Sequence, residues 1–502
     1  MKMFSTGLIK QSRPLKILFV GSEIAPFVKV GGLGEVLHSL PKALAELGHD
    51  VRTMIPKYAS IDEEEFPMTI IVDGLLVPNP ESEDLVCNVK KYKHGDNPVI
   101  NYFLENQEYY EKRGSVYGYD DDPARWALLS RGTLEFVRHM SAEWKPDIIV
   151  SNDWQGGLIP NYMKCEYSKD PVISKIASAF IIHNIHYQGM FDHRYGSELD
   201  YDDGQSQIPS ITDPRLLKIN FMRRGIRYAD VINTVSPTYA REITTPEYGE
   251  LLDELLQERR SRLFGILDGV NYDNYNPETN PYVEFKYNEK NLDERIKNKK
   301  VLQQKFNLPE KQNAFVVCMI SRFTEQKGID LVVETIEPLL ENFDFQLILL
   351  GTGESRFVSF FGELAKKRKN VAAHLSFDNI LPHVIYSGAD AILIPSRFEP
   401  CGLTQMEAMR YGVVPIVRKI GGLADSVKDH TSLEDPGTGF VFEKYDRYAF
   451  LGTFMRAYEI FKYPEIWQEI QKRAMKENFS WDKSAKEYEK LFLRALNQFN
   501  LQ

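Results

Sequence analysis

A glycine-rich segment, Lys29-Val30-Gly31-Gly32-Leu33-Gly34-Glu35, follows shortly after the apolar run Ile17-Leu18-Phe19-Val20 and opens a helical pattern. A strand that leads through a glycine loop into a helix places backbone N–H groups at a helix N-terminus, where they attract phosphate. The mobile positive charge of Lys29 stands beside them. A Gly-Gly turn on its own is more often structural, so this segment needs support from the rest of the chain.

The composition is that of a large globular protein. The chain has 502 residues, too many for one core, with 43% hydrophobic and 26% charged residues. The net charge of −10, with no long basic stretch, argues against nucleic acid as a partner. The four cysteines are scattered, and neither a secretory signal nor a long apolar run is present. We therefore expect a cytoplasmic protein that does not span a membrane.

Short apolar runs alternate with helical patterns along almost the whole chain. Most of these runs are continuous, which is typical of strands that are buried on both faces in parallel sheets. The predicted strands are Lys16–Val20, Asp50–Ile55, Asp147–Val150, Ala179–His183, Val231–Val235, Gly265–Leu267, Ala314–Ile320, Gln346–Leu350, Val371–His374, Ala391–Pro395, Val413–Val417 and Gly439–Phe442.

The domain junction is predicted in the polar stretch Asn271–Tyr287, which is rich in Asn, Tyr and Pro. The fold class is α/β, with two Rossmann-like, doubly wound parallel-sheet domains facing a cleft. The predicted divisions are residues 1–14 as an N-terminal extension, 15–270 as the first domain, 271–480 as the second domain, and 481–502 as an amphipathic helix that packs back on the first domain.

Two groups of candidate residues follow predicted strands of the second domain, at the sheet edge where open α/β folds bind ligands. Arg322 offers a planar fork of donors for a diphosphate, and Lys327 offers a point charge. Glu399 and Glu407 can accept hydrogen bonds from a sugar and a ribose. The amides of Gly402–Thr404 point at phosphate from a helix N-terminus. Together these groups suggest a nucleotide-linked sugar.

The first domain offers weaker candidates. His183 ends a predicted strand and begins a polar loop with Asn184, although a lone histidine is more often structural. Asp153 and Trp154 either contact a sugar, by hydrogen bonding and stacking, or act as a helix cap and core filler; both readings stay open. The acidic runs Asp120–Asp122 and Asp202–Asp203 are interpreted as solvated loops. No metal-ligand constellation stands out, and no metal or cofactor is expected.

Five segments of the chain resemble, in order, the bacterial and plant-type glycogen and starch synthases. This family consists of retaining glucosyltransferases of the two-Rossmann-domain GT-B type. The resemblance runs from about Leu15 to Arg494. The segments that carry it are Lys29–Val36, Asn152–Trp154, His183–Gly189, Ser321–Gly328 and Pro395–Glu407.

The resemblance implies elongation of an α-1,4-glucan acceptor from a nucleotide-sugar donor, with ADP-glucose expected and no metal required. It places the acceptor and sugar on the first domain and the donor on the second. The implied catalytic residues are Glu399, His183, Arg322 and Lys327. The implied binding residues are Lys29, Gly31, Gly32, Tyr110, Asp153, Asn184, Cys401, Gly402, Leu403, Thr404 and Glu407.

Donor and acceptor choice stay open at this stage. Glu35 stands where the family commonly has Asp, and Phe377 stands where Tyr is frequent; both border the expected nucleotide. The alternatives are UDP-glucose as donor, a different acceptor, or a non-catalytic protein that binds glucan or nucleotide sugar. The sequence also leaves the oligomeric state open, with a homo-oligomer as one option.

Overall fold

The computed structural model describes residues 13–93, 95, 97–189 and 202–500. It divides into two compact units. Unit 1 comprises Met1–Val235, Ala240–Ile266 and Trp481–Gln502, and unit 2 comprises Ser236–Tyr239 and Leu267–Ser480. Residues 1–12 of the predicted N-terminal extension lie outside the described residues. None of the helices in the described part is both long and apolar enough to cross a bilayer.

Unit 1 is built on a nine-stranded sheet with the order β3-β4-β5-β2-β1-β6-β7-β8-β9. Neighbouring strands are parallel, except that β4 is antiparallel to both β3 and β5. The strands are β1 (Lys16–Val20), β2 (Asp50–Pro56), β3 (Thr69–Val77), β4 (Leu85–Tyr92), β5 (Ile100–Glu105), β6 (Ile148–Asn152), β7 (Ala177–Ile182), β8 (Val231–Thr234) and β9 (Leu263–Gly265).

The sequence predicts strands β1, β2 and β6 to β9 of this sheet and misses β3, β4 and also β5, which pairs in parallel with β2. Strands β1, β2 and β6 to β9 are confirmed to within two residues at each end. Strands β3 and β4 are missed because one face of this ribbon is open to solvent, so they lack a continuous buried run. Leu76 and Val86, which pair directly across β3 and β4, are 59% and 57% exposed.

Helices cover the sheet of unit 1. They are α1 (Gly32–Glu46), α2 (Asp122–Met140), α3 (Leu158–Lys164), α4 (Phe221–Tyr228), α5 (Pro237–Glu242), which crosses the division between the units, and α6 (Asp253–Glu258). The apolar face of α1 is buried in the core, as its spacing predicts. The chain turns after α1 at Gly48, whose φ of +97° favours glycine.

Unit 2 is built on a six-stranded, fully parallel sheet with the order β12-β11-β10-β13-β14-β15. This is the doubly wound arrangement that the sequence predicts. The strands are β10 (Phe315–Ile320), β11 (Phe345–Leu350), β12 (Val371–His374), β13 (Ala391–Ile394), β14 (Val414–Arg418) and β15 (Phe440–Phe442). The helices are α7 (Glu294–Lys305), α8 (Ile329–Asn342), α9 (Ser355–Lys367), α10 (Leu381–Gly388), α11 (Thr404–Arg410), α12 (Gly421–Ser426), α13 (Arg447–Phe461) and α14 (Pro464–Lys476).

The helix α15 (Trp481–Asn500) belongs to unit 1 although it follows unit 2 in the chain. Its apolar face lies in the core of unit 1, where Phe492 packs edge-on against Phe19 with ring centroids 6.1 Å apart. The hydroxyl of Tyr488 accepts a hydrogen bond of 3.1 Å from Asn233 Nδ2.

Both acidic runs are more than solvated loops, which corrects the interpretation from the sequence. The carboxylate of Asp122 is buried and lies 2.5 Å from Arg125 Nη1. Asp202 is also buried and accepts two hydrogen bonds, of 2.8 and 2.5 Å, from the fully buried guanidinium of Arg224. Each run therefore supplies one carboxylate to a buried ion pair, which sequence spacing did not reveal.

Candidate functional site

Two amides of the glycine loop of unit 1 are already hydrogen-bonded. The N–H groups of Val30 and Gly31 are not bare, because both donate to Oε2 of Glu23, with a distance of 3.1 Å from Gly31. Helix α1 begins at Gly32, so its first N–H groups have no intrahelical partner. The donors that remain for an anion are therefore the N–H groups at the start of α1.

Lys29 has a counter-ion on the helix that follows it, α1. Its exposed Nζ lies 3.1 Å from Oε2 of Glu35, and Ser39 Oγ donates to the other oxygen of Glu35 at 3.3 Å. An exposed pair of this kind is worth at most about 1 kcal/mol. Lys29 is therefore free to change partner when a phosphate arrives.

Asp153 stands directly after β6 and ties β6 to the loop after β7. Its Oδ1 accepts the N–H of His183 at 2.7 Å, and its backbone has an unusual φ of +49°. Burial raises the pKa of Asp153 to about 7, against two backbone hydrogen bonds that lower it. A carboxyl group held in this way exchanges its proton near neutral pH, which is typical of functional sites.

His183 is held as a neutral imidazole. Burial lowers its pKa to about 3, and its Nε2 lies 3.0 Å from Oδ1 of Asn152. The amide nitrogen of Asn152 donates to Val20 O at 3.0 Å, which turns the amide oxygen toward the histidine. Nε2 therefore carries the proton, and Nδ1 remains an acceptor. Asn152 is a positioning residue that the sequence reading overlooked, although it directly precedes Asp153.

Three other candidates of unit 1 have structural contacts. Tyr110 is fully buried in the core of unit 1 and donates its hydroxyl to Arg125 O at 2.7 Å. Trp154 packs edge-on against Trp126 at 6.0 Å, which favours the core-filler reading. Asn184 Oδ1 accepts the N–H of His186 at 3.1 Å and shapes the loop.

In unit 2, the structure joins Lys327 and Glu399, which the sequence treats as separate groups. Lys327 Nζ lies 2.9 and 2.7 Å from the two carboxylate oxygens of Glu399. The 5% exposed Glu399 also accepts a hydrogen bond of 2.9 Å from Ser396 Oγ. Lys327 follows β10 and Glu399 follows β13, so both stand at the carboxyl edge of the sheet. Ser396 is a further residue that sequence reasoning missed.

Arg322 lies at the same edge of the sheet, and its side chain is held more weakly than that of Lys327. It is exposed, and its Nη2 atom lies 3.4 Å from Oε1 of Gln326. No carboxylate of the described residues forms an ion pair with it. The Ser321–Gly328 loop closes on Gly328, whose φ is +71° and where a Cβ would lie 2.0 Å from Pro395 O. The loop that presents Arg322 therefore packs directly on the end of β13.

The segment Cys401–Glu407 forms a turn and the start of α11. Gly402 has a φ of +69°, and Gln405 Nε2 donates back to its carbonyl at 2.6 Å. Cys401 is buried, and burial raises the pKa of its thiol well above 9. Glu407 accepts from Tyr386 Oη at 3.2 Å. Leu403 and Thr404 are half-buried at the start of α11.

A second glycine pair packs against the backbone of Glu399. Gly421 and Gly422 begin α12 directly after β14, and a Cβ on Gly421 would lie 1.8 Å from Glu399 O. Gly422 N donates to the same carbonyl at 3.1 Å. The signal was available in the sequence, because this strand, glycine pair and helix repeat the pattern at Gly31-Gly32. The described residues contain no group of three or more His, Cys, Asp or Glu side chains placed to hold a metal.

Comparisons with known proteins find similar proteins over nearly the whole chain. The family model "Starch synthase catalytic domain" matches residues 16–258, and "Glycosyl transferases group 1" matches residues 299–474. Glycogen synthase of Clostridium botulinum is 41% identical over 479 residues, which cover 94% of this chain and 98% of that relative. Glycogen synthase of Thermotoga petrophila is 40% identical over 488 residues, covering 96% of this chain and 99% of that protein.

A solved structure is similar over nearly the full length. The catalytic domain of starch synthase IV from Arabidopsis thaliana, bound to ADP and acarbose, aligns with a TM-score of 0.84 and 31% identity. The alignment covers 97% of this chain and 100% of that domain. The predicted GT-B fold class and the predicted family are confirmed by these matches.

Proposed function

Since the chain belongs to the glycogen and starch synthase family of glycosyltransferases, we propose that it transfers glucose from ADP-glucose to the end of an α-1,4-glucan. The anomeric configuration is retained in this reaction. The observation that carries the proposal is the pairing of Lys327 with the buried carboxylate of Glu399 at the carboxyl edge of the second sheet.

The pair gives Glu399 a fixed place and charge. Two oxygens held by Lys327 and Ser396 leave the carboxylate with remaining lone pairs, since an ionised carboxylate has about four acceptor sites. A sugar hydroxyl donating to one of them would be aligned without further movement of the side chain. We assign Glu399 to the transferred glucose on this basis.

We assign the binding of the diphosphate to the two cations of unit 2, Arg322 and Lys327. Arg322 has no counter-ion among the described residues and presents a fork that suits phosphate oxygens. Lys327 donates to Glu399 and, as an ammonium group, has a third proton for a phosphate oxygen. Both charges would stabilise the leaving nucleoside diphosphate as negative charge develops on it.

Unit 1 contributes hydrogen-bonding groups for the sugar and a loop for phosphate in this proposal. The Nδ1 atom of His183 is an acceptor for a sugar hydroxyl, and Asp153 supplies a carboxyl group from the neighbouring loop after β6. The loop around Lys29 and Gly32 adds a cation and helix-terminal amides for phosphate. A neutral imidazole avoids placing a positive charge beside an anomeric carbon that becomes positive itself.

The choice of ADP-glucose rests on a relative. The similar starch synthase IV domain is described as bound to ADP and acarbose, a nucleotide and an oligosaccharide. In this chain, Phe377 is 84% exposed on the loop after β12, so its ring is accessible for stacking on a base. Stacking alone does not discriminate adenine from uracil, and donor choice therefore needs a direct comparison.

The proposal is tested by incubating the protein with glycogen and either ADP-glucose or UDP-glucose, each labelled in the glucose. ADP-glucose is expected to extend the chains with α-1,4 links, which β-amylase removes. A faster reaction with UDP-glucose would replace the proposed donor. Binding of either donor without any glucan extension would favour a non-catalytic protein.

A matched pair of variants tests the role of Glu399. Glu399→Gln keeps the size of the side chain and removes the charge that faces Lys327, so kcat is expected to fall by about 100-fold or more. Glu443→Gln alters an exposed carboxylate of the same unit, and its rate should equal that of the wild type. A near-normal rate for Glu399→Gln would overturn the assigned role.

A further inference from the structure

Glu23 has an environment that the proposed reaction does not yet explain. It lies between β1 and α1, and only 2% of the residue is exposed. Its Oε2 accepts the N–H groups of Val30 and Gly31, the two residues that precede α1. The carboxylate therefore fastens the end of the glycine loop to the point where the chain leaves β1.

This carboxylate is buried without a cation. In the part of the chain that the structure describes, no Lys, Arg or His forms an ion pair with Glu23, and the nearby Lys29 pairs with Glu35 instead. Burying an unpaired carboxylate is costly. A loop selected for stability alone would carry a neutral side chain here, since the exposed residues Val30 and Gly31 can be hydrated.

The two residues that precede Glu23, Gly21 and Ser22, are held by hydrogen bonds. Ser22 Oγ lies 2.8 Å from the hydroxyl of Tyr117, and the hydroxyl of the buried Tyr58 donates to Ser22 O at 2.8 Å. The N–H of Gly21 donates to Met54 O at 3.2 Å. These hydrogen bonds fix the backbone at Glu23, so its side chain holds the glycine loop at a set position relative to the sheet.

We propose that Glu23 is a positioning residue for the donor phosphate, which holds the Lys29–Gly32 loop in the form that receives it. The inference rests on the proposed function, because it takes the loop as a phosphate site. Glu23 fixes Gly31 in an extended conformation, with φ −140° and ψ −158°, and so determines that α1 starts at Gly32. Glu23 itself does not contact the donor, because the loop covers it.

The inference predicts a selective effect on the donor. In Glu23→Ala the loop loses both hydrogen bonds, and the KM for ADP-glucose is expected to rise about tenfold, which corresponds to about 1.4 kcal/mol. The KM for glycogen should stay within twofold of the wild type. In Glu23→Gln the amide oxygen still accepts from the loop, so this variant should recover most of the donor affinity.

Asp147→Ala is the matched control. Asp147 is also a partly buried carboxylate of unit 1 that accepts a backbone N–H, from Lys16 at 2.8 Å, but it lies just before β6, at the opposite edge of the sheet. Its loss should lower the melting temperature and leave the donor KM unchanged. If Glu23→Ala does not fold, Glu23→Met provides a side chain of similar length without an acceptor.

The kinetic experiment is paired with calorimetric binding of ADP to each variant. A donor KM for Glu23→Ala within twofold of the wild type overturns the inference, and so does a Glu23→Gln variant as impaired as Glu23→Ala. A wild-type protein that binds ADP but does not extend glucan contradicts the proposed function alone. In that case weaker ADP binding by Glu23→Ala still supports the positioning role, and unchanged binding refutes it.

Discussion

Replacing Lys327 by methionine is expected to destabilise unit 2 as well as to stop the reaction. The substitution leaves the 5% exposed carboxylate of Glu399 with Ser396 as its remaining partner. Removing one member of a fully buried pair costs about 3–5 kcal/mol. The side chain of Lys327 is 19% exposed, so water offsets part of this cost and we expect about 2–3 kcal/mol.

The size of this effect can be measured as a coupling energy. At about 2–4 °C per kcal/mol for a domain of this size, Lys327→Met should lower the melting temperature of unit 2 by roughly 4–12 °C. Adding Glu399→Gln removes the buried charge, so the double variant should regain much of the loss. The coupling energy from the four proteins of the double-mutant cycle is expected near 2 kcal/mol.

The control is Lys419→Met, which breaks an exposed pair with Glu443 in the same unit. This pair has an Nζ–Oε1 distance of 2.8 Å, similar to that of the buried pair, yet its loss should cost less than about 1 kcal/mol. Calorimetric scans of all variants in one buffer provide the comparison. A coupling below about 0.5 kcal/mol between Lys327 and Glu399 would refute the reasoning, because the contact would then be no stronger than a surface pair.

Three further outcomes are expected. Burial raises the pKa of Asp153 to about 7, above its unfolded value, so the fold loses stability as the pH rises through this interval and does not regain it at higher pH. Asp153→Asn should therefore raise the melting temperature more at pH 8 than at pH 4, and an equal change at both would contradict this. Tyr110→Phe should cost about 1 kcal/mol of stability through its lost bond to Arg125 O while leaving the donor KM unchanged; a raised KM would return Tyr110 to the sugar site. Burial raises the pKa of the Cys401 thiol, so iodoacetamide at pH 8 should modify the exposed Cys165 and spare Cys401, as peptide mapping can show.

The parts of the fold that the sequence predicts are those in which local pattern and burial agree. The predicted strands of the two sheets are continuous apolar runs because helices cover both faces, and Val371–His374 is predicted with its observed ends. The ribbon of β3 and β4 was missed for the converse reason. Its solvent-facing side, with Leu76 beside Val86, interrupts the pattern of a buried strand.

The sequence predicts which residues belong to the candidate site, but it does not predict which of their side chains contact each other. Spacing places Lys327 and Glu399 at the ends of two strands, but only the sheet order β10-β13 brings the two side chains together. The sequence also does not show that Glu23 folds back on the glycine loop and accepts the N–H groups of Val30 and Gly31. Tyr110 was assigned by resemblance, which carries no information on burial.

The placement of α15 has a consequence for how the protein is made. Residues 481–500 complete the core of unit 1, yet the ribosome adds them after all of unit 2 has been synthesised. Unit 2, nearly continuous in the chain, can finish folding first, while the earlier-made sheet of unit 1 waits with the groove for Tyr488 and Phe492 still uncovered. Stalled or shortened translation products should therefore be the species that chaperones retain.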